Sequence, residues 1–170
     1  MKYTSAEAAK LLRKMNEEHS NLLNEESMAR EFVASVDEKL EDVRPAYDYM
    51  AMQEKLAALE QNIRTLKHAI NTFNTTTEVP GTGMTVDQIL IYIPQLTAAK
   101  NKLSGMQSRL PKQRESASSF GINSSVIDYR YMNYDVARAK ADYEKISDEL
   151  AKIQTALDLI NSTAVMELDL

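Results

Sequence analysis

The stretch Tyr47–Val79, YDYMAMQEKLAALEQNIRTLKHAINTFNTTTEV, decides how this chain is read, because it occurs again in altered letters. Moved forward by 87 positions (47 to 134), it lies on Tyr134–Met166, YDVARAKADYEKISDELAKIQTALDLINSTAVM. Tyr47-Asp48 falls on Tyr134-Asp135, and Asn74-Thr75-Thr76 on Asn161-Ser162-Thr163. Between these ends runs one apolar stripe: Leu56, Leu59, Ile63, Leu66, Ile70 and Phe73 in the first copy, Tyr143, Ile146, Leu150, Ile153, Leu157 and Ile160 in the second. Alternating steps of three and four residues trace one face of an α-helix. Asp48 and Asp135 are placed to cap these helices, and the Asn-Ser/Thr steps to stop them. Each helix spans roughly 40 Å at the standard rise.

Working outward, Thr4-Ser5-Ala6-Glu7 and Thr85-Val86-Asp87-Gln88 are capping boxes that open two further helices. The first has the stripe Ala8, Leu12, Met15, His19, Leu22, Glu26, Ala29, Val33, Val36 and Leu40, widened by Leu11, Leu23 and Phe32, and ends at Pro45. The other carries Ile89, Ile93, Leu96, Leu103 and Leu110, with Pro94 as an expected kink and Pro111 as an expected end. Glu41–Ala46 reads as an extended connector, Glu78–Gly83 as a turn, and Ser116–Ser125 as a loop. Ile127, Tyr129 and Tyr131 alternate with Asp128, Arg130 and Met132, as in a half-buried strand. The tail Val165–Leu170 is a second short strand. The first is expected to pair with residues 41–47, the second with Thr77–Pro80 or with another chain. The expected architecture is mostly α. Duplicated αα-hairpins (halves 4–79 and 85–166) form an antiparallel four-helix, coiled-coil-like bundle, one domain over 1–170, with one or two very short β-ribbons at its ends.

Composition limits the function. With 44% apolar and 26% charged residues, the chain is a soluble folded protein rather than a disordered one. A formal charge of −5 gives no general reason to bind nucleic acid or anionic lipid. The absence of cysteine removes disulfides, thiolate metal sites and a cysteine nucleophile, and suits a cytoplasmic setting. No signal-like segment and no run of 18 apolar residues occurs, so no membrane span is expected.

Ala69-Ile70-Asn71-Thr72-Phe73-Asn74-Thr75, then Gly83-Met84-Thr85-Val86-Asp87-Gln88-Ile89-Leu90, and the Leu150–Thr163 segment resemble a family of uncharacterised bacterial helical proteins, some labelled septicolysin. The resemblance covers roughly residues 5–165 and is densest from Ala69 to Leu110. It implies an all-helical, coiled-coil-like fold and supplies no catalytic or binding residues. The family lacks a proline matching Pro94, so continuity of the third long helix does not carry over.

Three constellations carry chemistry. His19 and His68 stand at similar heights about a turn at Arg44; without the Glu-x-x-His spacing of di-iron bundles they read as a polar layer with Glu26 or a neighbour, not a metal site. Tyr47, Tyr49, Tyr129, Tyr131 and Tyr134 are expected at one bundle end beside Arg44 and Arg130. They read as a cap on the core, with a partner surface as the functional alternative. Lys100, Lys102, Arg109, Lys112 and Arg114 form a basic run, read as a solvated face and not a nucleic-acid patch. No catalytic, cofactor or metal residues are assigned. The leading expectation is a non-enzymatic protein that associates with itself, with an unknown protein partner as a further reading. A membrane-active protein and an enzyme with its site at the tyrosine-rich end are the alternatives.

Overall fold

The computed structural model describes residues 1–115 and 128–168. The loop expected at Ser116–Ser125, the Val126-Ile127 start of the strand, and the last two residues lie outside the described residues. The chain is mostly α, with three short antiparallel ribbons among the described residues. It divides into two compact units, Met1–Thr77 with Leu159–Leu170, and Glu78–Asp158.

In the first unit, β1 (Lys2–Thr4) runs directly into α1 (Ser5–Ala29). The Thr4 hydroxyl accepts from the Glu7 amide at 3.2 Å, and the Glu7 carboxylate accepts from the Thr4 amide at 2.8 Å. This capping box satisfies two amides that a helix start leaves without partners. After a connector containing the single turn α2 (Leu40–Val43), α3 (Tyr49–Thr76) returns antiparallel to α1. The sense is fixed by cross-links: Glu26 meets Gln53, and further back along α1, His19 meets Glu60. Asp48 caps α3 by accepting from the Ala51 amide at 3.1 Å. Leu56, Leu59, Leu66 and Phe73 are buried, Leu66 completely.

Two expectations for this unit are corrected. α1 stops at Ala29 instead of carrying the stripe to Leu40, and Val33 and Val36 are 95% and 103% exposed. The antiparallel register explains it. α3 begins at Tyr49, which stands opposite residue 30 or so, and beyond that α1 has no helix to pack on. Helix formation here depends on packing, and β-branched valines have modest intrinsic propensity. Residues 41–47 are also not a strand: their first part is α2.

In the second unit, β2 (Glu78–Val79) and β3 (Met84–Thr85) form a hairpin around Pro80–Gly83. Gly81 and Gly83 hold φ of +76° and +66°, a region costly for other residues. The Thr82 hydroxyl donates to the Val79 carbonyl at 2.7 Å, and Val79 itself is fully buried. β3 delivers Thr85 as the cap of α4 (Val86–Gln107), with Gln88 completing the box. α4 runs through Pro94 as one helix. Leu90, whose carbonyl loses its usual donor there, is exposed and open to water. The helix ends before the expected Pro111. Its Met106 carbonyl accepts from the Tyr134 hydroxyl at 2.9 Å, and Leu110 is 63% exposed. Next come β4 (Lys112–Arg114) and β5 (Tyr129–Tyr131), paired with Lys112 opposite Tyr131 and Arg114 opposite Tyr129. The strand around Tyr129 therefore pairs with 112–114, not with 41–47.

The last helix, α5 (Val136–Thr163), runs antiparallel to α4, with Tyr92 bonded to Glu149 and, nearer the other end, Lys100 over the Tyr143 ring. It is capped by Asp135, which accepts from the Ala137 and Arg138 amides at 2.8 and 3.2 Å. Both Asp-capped helices, α3 and α5, have 28 residues and finish alike. Thr76 donates to the Thr72 carbonyl, and Thr163 to that of Leu159.

Beyond α5, β6 (Val165–Glu167) pairs with β1, setting Tyr3 opposite Met166. The tail was expected on Thr77–Pro80 or on another chain. The reason for the difference is that β2 and β6 play one role: each leaves an Asp-capped helix, and each pairs with a strand that enters a Thr-capped one. Val79 and Met166, one from each exit strand, are both buried.

Candidate functional site

Of the seven residues singled out from the sequence, Arg44, Tyr47 and Tyr49 lie in the first unit, and Tyr129, Arg130, Tyr131 and Tyr134 in the second. In the first unit they do not share a partner. The Arg44 guanidinium lies 5.9 Å from the centre of the Phe32 ring. The Tyr47 hydroxyl donates to Glu26 at 2.7 Å, and Tyr49 is 60% exposed. Glu26 also accepts from Gln53 at 2.7 Å, so one half-buried carboxylate ties the connector and α3 to α1. That bond holds the Tyr47 hydroxyl above its ordinary pKa, because ionising it would set phenolate against carboxylate.

The second unit brings two of its four together. Tyr129 and Tyr131 share a ribbon face, their ring centres 6.4 Å apart. The Lys112 ammonium sits over both, 4.1 Å from the Tyr129 centre and 5.3 Å from that of Tyr131. Such cation–π contacts favour the cation over the ring face. The opposite ribbon face carries Arg130, held by Glu115 through two bonds of 2.9 and 2.7 Å. This fork, a planar match of guanidinium and carboxylate, raises the Arg130 pKa further. Tyr134 does not join the ribbon face; it closes the end of α4, as a cap would.

The polar layer expected from His19 and His68 with Glu26 or a neighbour does not bring the two histidines together. His19 faces Glu60 at 3.1 Å, His68 is exposed, and Glu26 binds Tyr47 and Gln53. The expectation centred the turn at Arg44; with α1 ending at Ala29 the centre of the register lies nearer residue 40, which sends His68 past His19. Among the described residues no three His, Asp or Glu side chains converge as a metal ion requires. None of the described helices is long and apolar enough to cross a membrane.

Sequence reasoning missed the Tyr92–Glu149 bond, 2.7 Å, which in the second unit plays the part that Tyr47–Glu26 plays in the first. There too the tyrosine hydroxyl is held above its ordinary pKa, chiefly by the bond to carboxylate. Also missed was the outward face of α4, where Leu90 and Ile91 are 47% and 57% exposed. The signal for it was present: Ile89-Leu90-Ile91-Tyr92-Ile93 is too broad an apolar run for one stripe.

Each unit has surface hollows. In the first unit one of about 610 Å³ lies along α1 and is lined by Ala9, Leu12, Asn16, Ser20 and Ile70 among others; another of about 430 Å³ touches Tyr47, Asp48 and Lys55. In the second unit the β2–β3 turn and α5 enclose about 300 Å³ beside Glu149 and Lys152. Asp48 at the second hollow is committed to its helix cap, and Glu149 at the third to Tyr92.

No protein-family model and no curated protein matches the chain. Among solved structures it is similar to the crystal structure of a functionally unknown conserved protein from Corynebacterium diphtheriae, with a TM-score of 0.60 and 18% sequence identity, over 98% of this chain and 100% of that one. At that identity the likeness speaks for the fold alone: a mostly helical chain with short ribbons.

Proposed function

We propose that this is a non-enzymatic helical protein that works through surface contacts and associates with itself, its two halves being a duplicated, coiled-coil-like hairpin. The observation that carries the reading is the set of large apolar side chains left in solvent. In the first unit Met28, Val33 and Val36 are 82%, 95% and 103% exposed; in the second, Leu90 and Ile91 stand out from a regular helix. Single exposed apolar residues are ordinary, but several within one short stretch, as over residues 28–36, fit a contact surface. The polar groups that would serve a reaction are held by neighbours instead: Glu26 by Tyr47 and Gln53, Glu149 by Tyr92, Glu115 by Arg130. A reducing, cytoplasmic setting fits a chain with no cysteine. Light scattering at several concentrations tests the reading. The expected mass rises with concentration above the 19.2 kDa of one chain, and a strict monomer throughout overturns self-association.

A further inference from the structure

α4 is apolar on two sides. Val86, Ile89 and Leu96 are buried on one, and the other carries Leu90, Ile91, Pro94 and Ala98, all exposed. These outward residues recur at helical spacing, so they form a stripe along α4 and not a scatter. The stripe is narrow, running between exposed Gln88, Gln95 and Asn101, and a helix with a second apolar stripe outside its buried face presents a surface that cover would bury. The stripe is bounded by charge: Asp87 at its N-terminal end and Lys102 at its C-terminal end, both exposed. Neither takes part in an ion pair among the described residues.

We propose that this outward face of α4 docks on the same face of a second copy, the two helices antiparallel about a twofold axis between Pro94 and Gln95. The inference rests on the self-association reading above and names its surface. The order of residues along the stripe selects the occupant. A twofold axis at that point sets Asp87 of each copy against Lys102 of the other, so both ion pairs form at once. It also sets Ile91 against Ala98, large against small, twice over. In such an isologous contact residue i meets j and j meets i, and one sequence must be its own complement. This one is, whereas an unrelated helix would need the reversed charge order by accident. From Asp87 to Lys102 the seam is about 22 Å long, so the interface is small and the dimer is a weak, exchanging one.

Sedimentation of the full chain over a wide concentration range tests this with surface variants. Asp87→Lys and Lys102→Asp each place two like-charge contacts in the dimer and weaken it about tenfold, and the double variant recovers most of the loss, because the pairs are re-formed reversed. Ile91→Glu removes association. The chain has no cysteine, so single introduced thiols report geometry cleanly. Gln95→Cys near the axis forms a disulfide-linked dimer on oxidation. Asp87→Cys alone does not, being about 22 Å from its own copy, but links to Lys102→Cys when the two are mixed. If the native chain associates and none of these variants changes it, another surface is used and this inference falls while self-association stands. If the native chain is monomeric throughout, both fall.

Discussion

The two helical hairpins enter and leave their long helices by the same chemistry and differ in what joins the helices. α1 and α4 both start on a threonine box fed by a short strand; α3 and α5 both start on an aspartate and stop on threonine back-bonds. Between α1 and α3 the chain is irregular, with one helical turn and Val33 and Val36 in solvent. Between α4 and α5 it forms a ribbon held by Lys112 over two tyrosines and by the Arg130–Glu115 fork. The contrast separates two kinds of information. Caps are local, three or four residues long, and tolerate almost no other arrangement. Connectors are settled by where the partner helix begins, a long-range fact. In the first hairpin that fact ended α1 early and moved every cross-link by several residues.

The largest test concerns the buried stripes. Leu66 in α3 and Ile153 in α5 sit at matching places, 0% and 6% exposed. Leu66→Ala and Ile153→Ala are each expected to cost about 2–5 kcal/mol in urea unfolding, by lost burial and the cavity left behind. A loss below about 1 kcal/mol at one position only would break the equivalence of the two stripes.

The aspartate caps come next. Asp48→Ala and Asp135→Ala are each expected to cost about 1 kcal/mol, and Asn at either place much less, because its side-chain oxygen still accepts. Thermal unfolding of the four variants compares the caps directly; a cap whose removal costs nothing would show that packing alone starts that helix.

The hydroxyl–carboxylate pairs are a smaller effect. Tyr47→Phe and Tyr92→Phe each remove one bond and leave a carboxylate that water can reach, so each is expected to lower the unfolding midpoint less than loss of an aspartate cap does. Both tyrosine pKa values are raised in the folded chain, so their contribution is full below the ordinary tyrosine range and lost as pH rises through the raised values. Alkaline titration followed by tyrosine absorbance should show one late-titrating hydroxyl fewer in either variant than in the native chain.

The smallest effect separates the two threonine boxes. Bonds from the Thr4 amide and hydroxyl hold the Glu7 carboxyl below its ordinary pKa. Its contribution is therefore present above the ordinary carboxylate range and lost as pH falls through the lowered value. Gln88 does the same work for Thr85 and does not titrate. Acidification should speed hydrogen exchange at the start of α1 and leave the start of α4 unchanged, and Glu7→Gln should abolish the difference.

The same division explains what could be read in advance. Thr4, Thr85, Asp48 and Asp135 announced their caps because the acceptor and the amides it serves are neighbours in sequence. Leu56–Phe73 and Leu150–Leu157 announced their buried faces through spacing alone. The end of α1 was not legible, because Val33 and Val36 continue the stripe faithfully and nothing local says that α3 has not yet begun. Ribbon partners were not legible either: Thr77–Pro80 and Lys112–Arg114 carry no alternation, being two to four residues long, and pairing was decided by which strands the helices brought side by side. For the candidate site, Tyr129 and Tyr131 were visible as a pair on alternate positions. Lys112 and Glu115, which order the two ribbon faces, were not.

The β1–β6 ribbon has a mechanical consequence. Its strands are antiparallel, with Met1 and Leu168 side by side at the open end, where the terminal amine donates to the Leu168 carbonyl at 2.6 Å. Tension applied at these two ends does not shear the strands past one another. It peels them, loading the two Met1–Leu168 bonds first, then the Lys2–Glu167 rung, then the next. Resistance to stretching at this point is therefore that of one rung at a time, not of all the rungs together.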